Sequence, residues 1–352
     1  NVSAVRPMPI PDDLTSLLSD YDVWKDVRSR LTVALAIIAV LGLLLVGANV
    51  RHQQLVEDID EQWNSFAPKP LTNMGAVSEL QIIPVVNWSS AAKSFKTEPG
   101  VSYLVRADDQ TILFDLGFNQ RGESPSPLEH NLSLLGVEPD NIDTVFISHA
   151  HRDHVGGVEW ERDKSFSLGR QQGLLSEQLV YAPVPLTHPN SQPITITTPK
   201  ILANGIASTG PIPRQLFIGR IDEQALVINL ENKGLVVLVG CGHQTLDRLL
   251  ERIKSTFEDP LYAIVGDLHY PVPEGRLQIL GIDVQRRLAS GDGPFDRLDE
   301  QDVEHFEETV HRSVPVIALG GHDTSNEVLQ RMQQRLGDRF QAVQVGVPIS
   351  LL

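Results

Sequence analysis

The sequence predicts an α/β protein, an αββα sandwich preceded by a single transmembrane helix, on three observations. Leu31 to Ala48 carries no charge and only Thr32 as a polar side chain. Beyond residue 80, short apolar runs rich in Val and Ile fall into two groups, with amphipathic helical patterns between them. One of those runs ends in three histidines and an aspartate: His149, His151, Asp153 and His154. Strands in two groups with intervening helices fit two sheets packed face to face with helices outside.

The chain has 352 residues, 41% hydrophobic and 21% charged, enough to bury a sizeable core in one large or two ordinary domains. Its formal net charge of -16 disfavours a nucleic-acid partner, or an anionic lipid surface, acting through bulk electrostatics. An anionic substrate stays open, because a metal ion supplies local positive charge. Cys241 is the one cysteine, so the sequence allows no internal disulfide.

Residues 1–30 read as an N-terminal extension. Pro7, Pro9 and Pro11 make its start extended, and Asp12 and Asp13 are placed to cap a short helix. Leu14, Leu17, Leu18, Tyr21 and Trp24 recur at helical spacing, a stripe suited to a membrane interface or a partner helix. Residues 31–50 read as a transmembrane helix, since about twenty helical residues rise about 30 Å, the thickness of a hydrocarbon core. Val46-Gly-Ala48 also resembles a small-residue cleavage site, so a cleaved signal peptide is the competing reading. Lys25, Arg28 and Arg30 precede the run, whereas Arg51 follows it with Glu57, Asp58, Asp60 and Glu61. The positive-inside rule then puts the N-terminus in the cytoplasm and the large domain on the extracytoplasmic side, periplasmic or extracellular.

Residues 51–79 read as a charged linker or stalk, stiffest at Ala67-Pro-Lys-Pro70. The globular domain is expected over 80–352. Its first strands are expected at 80–86, 101–105, 111–114 and 143–147, followed by 179–182, 193–197, 225–230 and 235–239. Later ones are expected at 261–265, 314–319 and 342–347. Helices are expected at Leu128–Leu135, ended by Gly136, and near 245–256, 299–312 and 325–336. Residues 270–299, rich in Gly, Pro and charge, read as an insertion at the active-site edge able to act as a lid.

The chemistry is carried by Ile147-Ser-His-Ala-His-Arg-Asp-His-Val-Gly-Gly157. Imidazole and carboxylate groups so close at a strand end are what a divalent transition metal needs, and two ions can share them. In a strand-to-loop conformation His149 and His151 point the same way and reach one ion, while Asp153 and His154 face a second. The bland alternative is a solvated His-rich loop, and the spacing argues against it. His243 follows Leu235-Val-Val-Leu-Val239 and His322 follows Val314-Pro-Val-Ile-Ala-Leu-Gly-Gly321, so both also stand at strand ends. Asp267, His269 and Cys241 compete for the remaining position. Asp267 closes the strand Ile264-Val-Gly-Asp267, and His269 lies two residues on. A Cys241 thiolate is a competent zinc ligand, but small buried cysteines are common, so Cys241 ranks below the other two and is placed, with Asp115, behind the ligands. His52, His130, His188, His305 and His311 lack this setting.

His149-x-His151-x-Asp153-His154 followed by Gly-Gly resembles the signature of the metallo-β-lactamase superfamily. Gly100-Val-Ser-Tyr-Leu-Val105 and Thr111-Ile-Leu-Phe-Asp-Leu-Gly117 resemble its opening strands, the latter with the characteristic Asp-x-Gly. Ser208-Thr-Gly-Pro-Ile-Pro-Arg214, Gly234-Leu-Val-Val-Leu-Val-Gly-Cys-Gly-His243 and Gly320-Gly-His-Asp-Thr324 resemble one branch, the dihydropterin-methyl-ribofuranosylaminobenzene-phosphate synthase-like proteins. The resemblance covers residues 80–352. It implies the αββα fold, two divalent ions, and His322 completing the second ion's shell. It also implies an aspartate at a strand end that bridges the ions, a place for which Cys241 and Asp267 are the candidates. Asp267 departs from the branch, which has a glycine there. Histidine at 151, where diiron members carry glutamate, implies zinc, with iron and manganese as alternatives.

The expected activity is hydrolysis of a small-molecule ester, lactone or phosphoester. Two ions would share a water, lower its pKa towards about 7 and hold the hydroxide against an electrophilic carbonyl or phosphorus. Asp153 would position that hydroxide and accept its proton, and His322 would anchor the second ion near the leaving group. Arg214, in the Pro-Ile-Pro-Arg turn, would bind an anionic substrate group. A Gly-x-Ser-x-Gly nucleophile signature is absent, which argues against covalent serine hydrolysis. Two alternatives are a dihydropterin-linked transferase, which the branch name implies, and an accessory subunit of a membrane complex held through residues 12–50.

Overall fold

The structure, a computed structural model, describes residues 12–351 apart from Leu174, Ser176, Glu177, Asp292 and Pro294. The prolines read as an extended start, and the side chains of Leu14, Leu17, Leu18 and Tyr21, lie outside the described residues.

Helix α1 runs unbroken over Asp12–Ser65. The short helix, the spanning helix and the first half of the expected linker are thus one element. No proline interrupts residues 12–65, and the helix ends just ahead of Pro68, where the ring would remove a helical hydrogen bond. Its Val27–Ser65 portion is long and apolar enough to cross a membrane, with a mean hydropathy of 2.8 over the best window. Leu31, Leu35, Ile38, Leu41 and Leu44 are all exposed along it.

Residues 1–54 form one compact unit and 55–352 the other. Within the second, residues 55–79, expected as linker or stalk, touch the body at several points. Trp63 packs against the apolar core, donates through Nε1 to Glu251 at 3.2 Å, and lies under the Arg252 guanidinium at 4.9 Å. Leu71 and Val77 make single bridges to Phe257 and Leu230.

The first sheet contains β1 (Leu80–Val86), β2 (Ser102–Ala107), β3 (Gln110–Phe114), β4 (Thr144–Phe146), β5 (Leu179–Ala182) and β6 (Ile194–Thr195), in that order. Next come β7 (Lys200–Ala203), β8 (Ile206–Ser208), the hairpin β9 (Ile212–Leu216) and β10 (Gly219–Glu223), β11 (Leu226–Leu230), β12 (Gly234–Val239) and β13 (Leu261–Gly266). A small hairpin, β14 (Gln278–Ile279) and β15 (Ile282–Asp283), precedes β16 (Val316–Leu319) and β17 (Phe340–Ala342). The second sheet has the order β17-β16-β13-β12-β11-β8-β7. Helices α2 (Pro127–Leu134), α3 (Val158–Arg162), α4 (Leu246–Thr256), α5 (Glu300–Ser313) and α6 (Asn326–Leu336) complete the unit.

Alternation along the strands builds the layers. Tyr103, Val105, Ile112 and Phe114 of the first sheet meet Leu226, Ile228, Val236 and Leu238 of the second in one buried cluster between the sheets. The opposite faces carry helices: Leu104, Leu113 and Val145 pack on Leu128 and Leu132 of α2. Leu235, Val237, Ile264 and Ile317 pack on residues of α4, α5 and α6 such as Leu249, Phe306 and Met332. The result is the expected αββα sandwich.

Strands β7 to β10 were not expected, because Gly and Pro break the apolar runs there into pieces too short to read by period. The Pro-Ile-Pro-Arg segment is strand β9, paired with β10, and not a turn. At the C-terminus the strand is Phe340–Ala342 and not 342–347, with one isolated bridge beyond it from Val345 to Ser90. Val343 and Val345 are nevertheless buried, the latter donating its N–H to Ser89 O at 2.9 Å.

Candidate metal centre

Every side chain of the centre stands at the C-terminal end of a strand. Asp115 follows β3, the His149–His154 loop follows β4, Cys241 and His243 follow β12, Asp267 and His269 follow β13, and His322 and Asp323 follow β16. Strands β3 and β4 are parallel, as are β12, β13 and β16, so within each sheet these ends emerge on the same side. Gly156 gives the β4 loop its sharp exit: φ is 89°, and a Cβ there would run into Ser167 O.

The donors converge in three overlapping groups. Asp153, His154, Cys241 and His322 form one, His149, Cys241 and His243 a second, and Cys241, His269 and Asp323 a third. Within each group the ligating atoms lie within 4.8 Å of one another. His151 joins the second group by its ring, whose centroid is 4.7 Å from His149 and 5.1 Å from His243. His269 lies 4.5 Å from His243 by the same measure.

A second layer aims these rings. Asp115 accepts from the Ser148 N–H and hydroxyl, each at 2.7 Å, and its Oδ2 lies 2.7 Å from His154 Nδ1. Ser148 Oγ is in turn 3.0 Å from His149 Nδ1, which leaves His149 Nε2 facing the cluster. Asp115 is held at φ 56°, a left-handed conformation uncommon for a residue with a Cβ. Asp267, expected among the ligands, belongs to none of the three groups. Its carboxylate accepts from the His322 N–H at 3.1 Å and from Asn87 Nδ2 at 3.2 Å, so it holds the β16 loop in place.

Cys241, placed behind the ligands by sequence, instead puts its Sγ in all three groups, 2.9 Å from His154 Nε2. Arg214 donates to His243 O at 3.2 Å and to Ser290 O at 3.0 Å. It thereby joins two loops beside the centre. Sequence reasoning gave no role to Asp323, whose Oδ2 lies 3.1 Å from His269 Nδ1 and 3.3 Å from His322 Nε2. The only available signal was its place beside His322 in the Gly-Gly-His-Asp stretch. Glu223 was also missed, because it approaches the centre only through backbone amides. From the segment after β13, Gln285 Nε2 donates to Asp323 Oδ1 at 2.5 Å, and Arg276 donates to Gly321 O and Thr324 O.

Electrostatics favour a cation here. Burial, reinforced by neighbouring rings, lowers His149 and His243 well below the usual histidine range, and burial lowers His151 to about 4. All three are thereby neutral imidazoles, the ligating form. Burial also works to lower His322, but Asp323, Asp153 and Asp267 outweigh it and hold its pKa up to about 10. Asp153 stays below the usual carboxylate range despite its burial, chiefly through the bond to His322 at 2.9 Å.

The donor set fits a metal on a direct observation. His149 Nε2 and His243 Nδ1 are buried and have no hydrogen-bond partner. Each such orphan costs about 1–3 kcal/mol, a penalty that coordination to an ion removes.

Residues 96–166 match the family model of the metallo-beta-lactamase superfamily. The chain is 22% identical to the 7,8-dihydropterin-6-methyl-4-(beta-D-ribofuranosyl)-aminobenzene-5'-phosphate synthase of Methanocaldococcus jannaschii, over 56% of this chain and 80% of that protein. Over a shorter stretch it is 36% identical to the N-acyl homoserine lactonase AiiB of Agrobacterium fabrum, covering 18% of this chain and 29% of that one. Among solved structures, the metal-dependent hydrolase Tm1679 of the beta-lactamase superfamily superposes with a TM-score of 0.52 at 18% identity, over 77% of this chain and 99% of that one.

Proposed function

From a chain that carries the fold and signature of the metallo-β-lactamase superfamily, we propose a membrane-anchored, dinuclear metal-dependent hydrolase of small-molecule esters, lactones or phosphoesters. The carrying observation is the convergence of buried imidazole, carboxylate and thiol donors from both sheets on one cluster. His149, His151 and His243 would hold one ion, and Asp153, His154 and His322 the second. Cys241, His269 and Asp323 are left as further donors. The set suits zinc, with iron or manganese as alternatives. Such ions supply Lewis acidity towards an electrophilic carbonyl or phosphorus and make water acidic enough to attack at neutral pH.

The protein's own groups handle position and protons. Asp115 fixes the His154 ring and, through Ser148, the His149 ring. Asp153, with a side chain 22% exposed, is the carboxylate donor that solvent reaches, so it can orient the attacking water and take its proton. The segment bearing Arg276 and Gln285 closes one side of the cleft and limits which substrates enter.

The long apolar helix supports anchoring, and the basic residues ahead of it support a cytoplasmic N-terminus. The likeness to the synthase favours a pterin-linked transferase as the second reading.

The test uses the full chain in detergent, with bound metal measured per chain by plasma mass spectrometry and turnover measured on phosphodiester and lactone panels. About two metals per chain, with turnover lost in His151→Ala, is the expected result. A folded chain without metal or turnover would remove the hydrolase reading.

A further inference from the structure

We propose that Cys241 is a direct thiolate ligand of the metal centre, at the point common to both ion positions, and that Glu223 positions the loop that presents it. This rests on the metal-centre reading above and deepens it, because that reading leaves the thiol among the further donors and assigns it to neither ion.

Cys241 is the one residue present in all three donor groups. Its side chain is 1% exposed, yet it belongs to none of the three apolar clusters. A structural cysteine is ordinarily buried as a small hydrophobe among other apolar side chains. This one has His154 Nε2 at 2.9 Å and shares its groups with Asp153, Asp323 and five histidines. Two of those histidines, His149 and His243, carry the partnerless buried ring nitrogens, in the same group as the sulfur. A donor set with vacant nitrogens and a sulfur at its middle is the arrangement a borderline-soft cation requires.

The backbone leaves that sulfur no alternative direction. The N–H groups of Cys241, Gly242 and His243 all donate to the Glu223 carboxylate, at 3.0, 3.0 and 2.8 Å. Glu223 is fully buried on the last residue of β10. A Cβ at Gly240 would run into Ser148 Oγ, and one at Gly242 would lie 2.7 Å from Leu268 Cα. The loop is thus clamped on both sides of the cysteine, with its side chain set inward. On metal binding the sulfur–hydrogen bond breaks, its electron pair forms the sulfur–metal bond, and the proton leaves to solvent.

Cobalt(II) tests this without any turnover. The full chain in detergent is stripped with chelator and titrated with cobalt. Expected are visible d–d bands together with a sulfur-to-cobalt charge-transfer band in the near ultraviolet. In Cys241→Ser the d–d bands remain, the charge-transfer band is lost, and cobalt affinity falls about 10-fold or more. Glu223→Gln keeps the charge-transfer band but weakens affinity by a comparable factor, which marks it as a positioning residue and not a ligand. Cobalt bound to the native chain with d–d bands and no charge-transfer band would overturn the thiolate while leaving the metal centre standing. No cobalt bound at all would overturn both.

Discussion

Asp115 shows how single residues set this centre. It touches no substrate, yet one carboxylate fixes the His154 ring directly and the His149 ring through Ser148. A carboxylate behind a ligating imidazole sets the tautomer and raises the basicity of the ring. Asp115→Asn keeps the shape but can offer an N–H where His154 needs an acceptor. Metal affinity should therefore fall about 10–100-fold, measured by competition with a chromophoric chelator. An unchanged affinity would mean that Asp115 serves only the backbone of Ser148. Cys241 and Asp267 teach the converse. Both end strands beside the site, but only the sulfur reaches the donors, while Asp267 is committed to the β16 loop.

Among the elements, α2 is specified most completely by its own residues. Ser126 accepts from the Glu129 N–H at 3.0 Å, and Glu129 accepts from the Ser126 N–H at 2.7 Å, a reciprocal capping box with Pro127 in the first turn. Leu128 and Leu132 then face the first sheet. Ser126→Ala should lower stability by about 1 kcal/mol in chemical denaturation of the globular domain, without changing bound metal. A loss of metal in that variant would show that α2 also supports the β4 loop. Strands β9 and β10 are the opposite case. Their apolar pattern is weak, and they exist because each pairs with the other, which places Arg214 beside the centre and Glu223 under the Cys241 loop.

At the scale of the whole molecule, the two sheets each supply part of the donor set, so metal binding ties them together. A ligand that binds only the folded state adds about 2.7 kcal/mol at a hundredfold excess over its Kd. Chelation should therefore lower the melting temperature of the globular unit, and zinc should restore it in a concentration-dependent way. A melting temperature indifferent to chelator would mean that the sheets hold the donors in place unaided. The long helix makes a separate prediction. In vesicles or cells, removing residues 31–50 should move the chain from the membrane fraction to the soluble one, and an intact globular domain should be open to protease from the extracytoplasmic side. Protection from external protease would reverse the orientation read from Lys25, Arg28 and Arg30.

The sequence by itself determined the αββα layering, the apolar helix and most of the donors, because each is written in local signals. Strand alternation, helical stripes and an uncharged run need only near neighbours to be legible. The His149–His154 cluster is likewise compressed into one loop. Tertiary structure decided that residues 66–79 touch the body and that 198–223 forms strands. It also decided which residues meet: Cys241 with three donor groups, Asp323 with His269, and Glu223 with the amides of the Cys241 loop. Those residues lie on different strands, far apart in the chain. Their chemistry exists only once the parallel ends of β4, β12, β13 and β16 are brought together by packing, which no local pattern encodes.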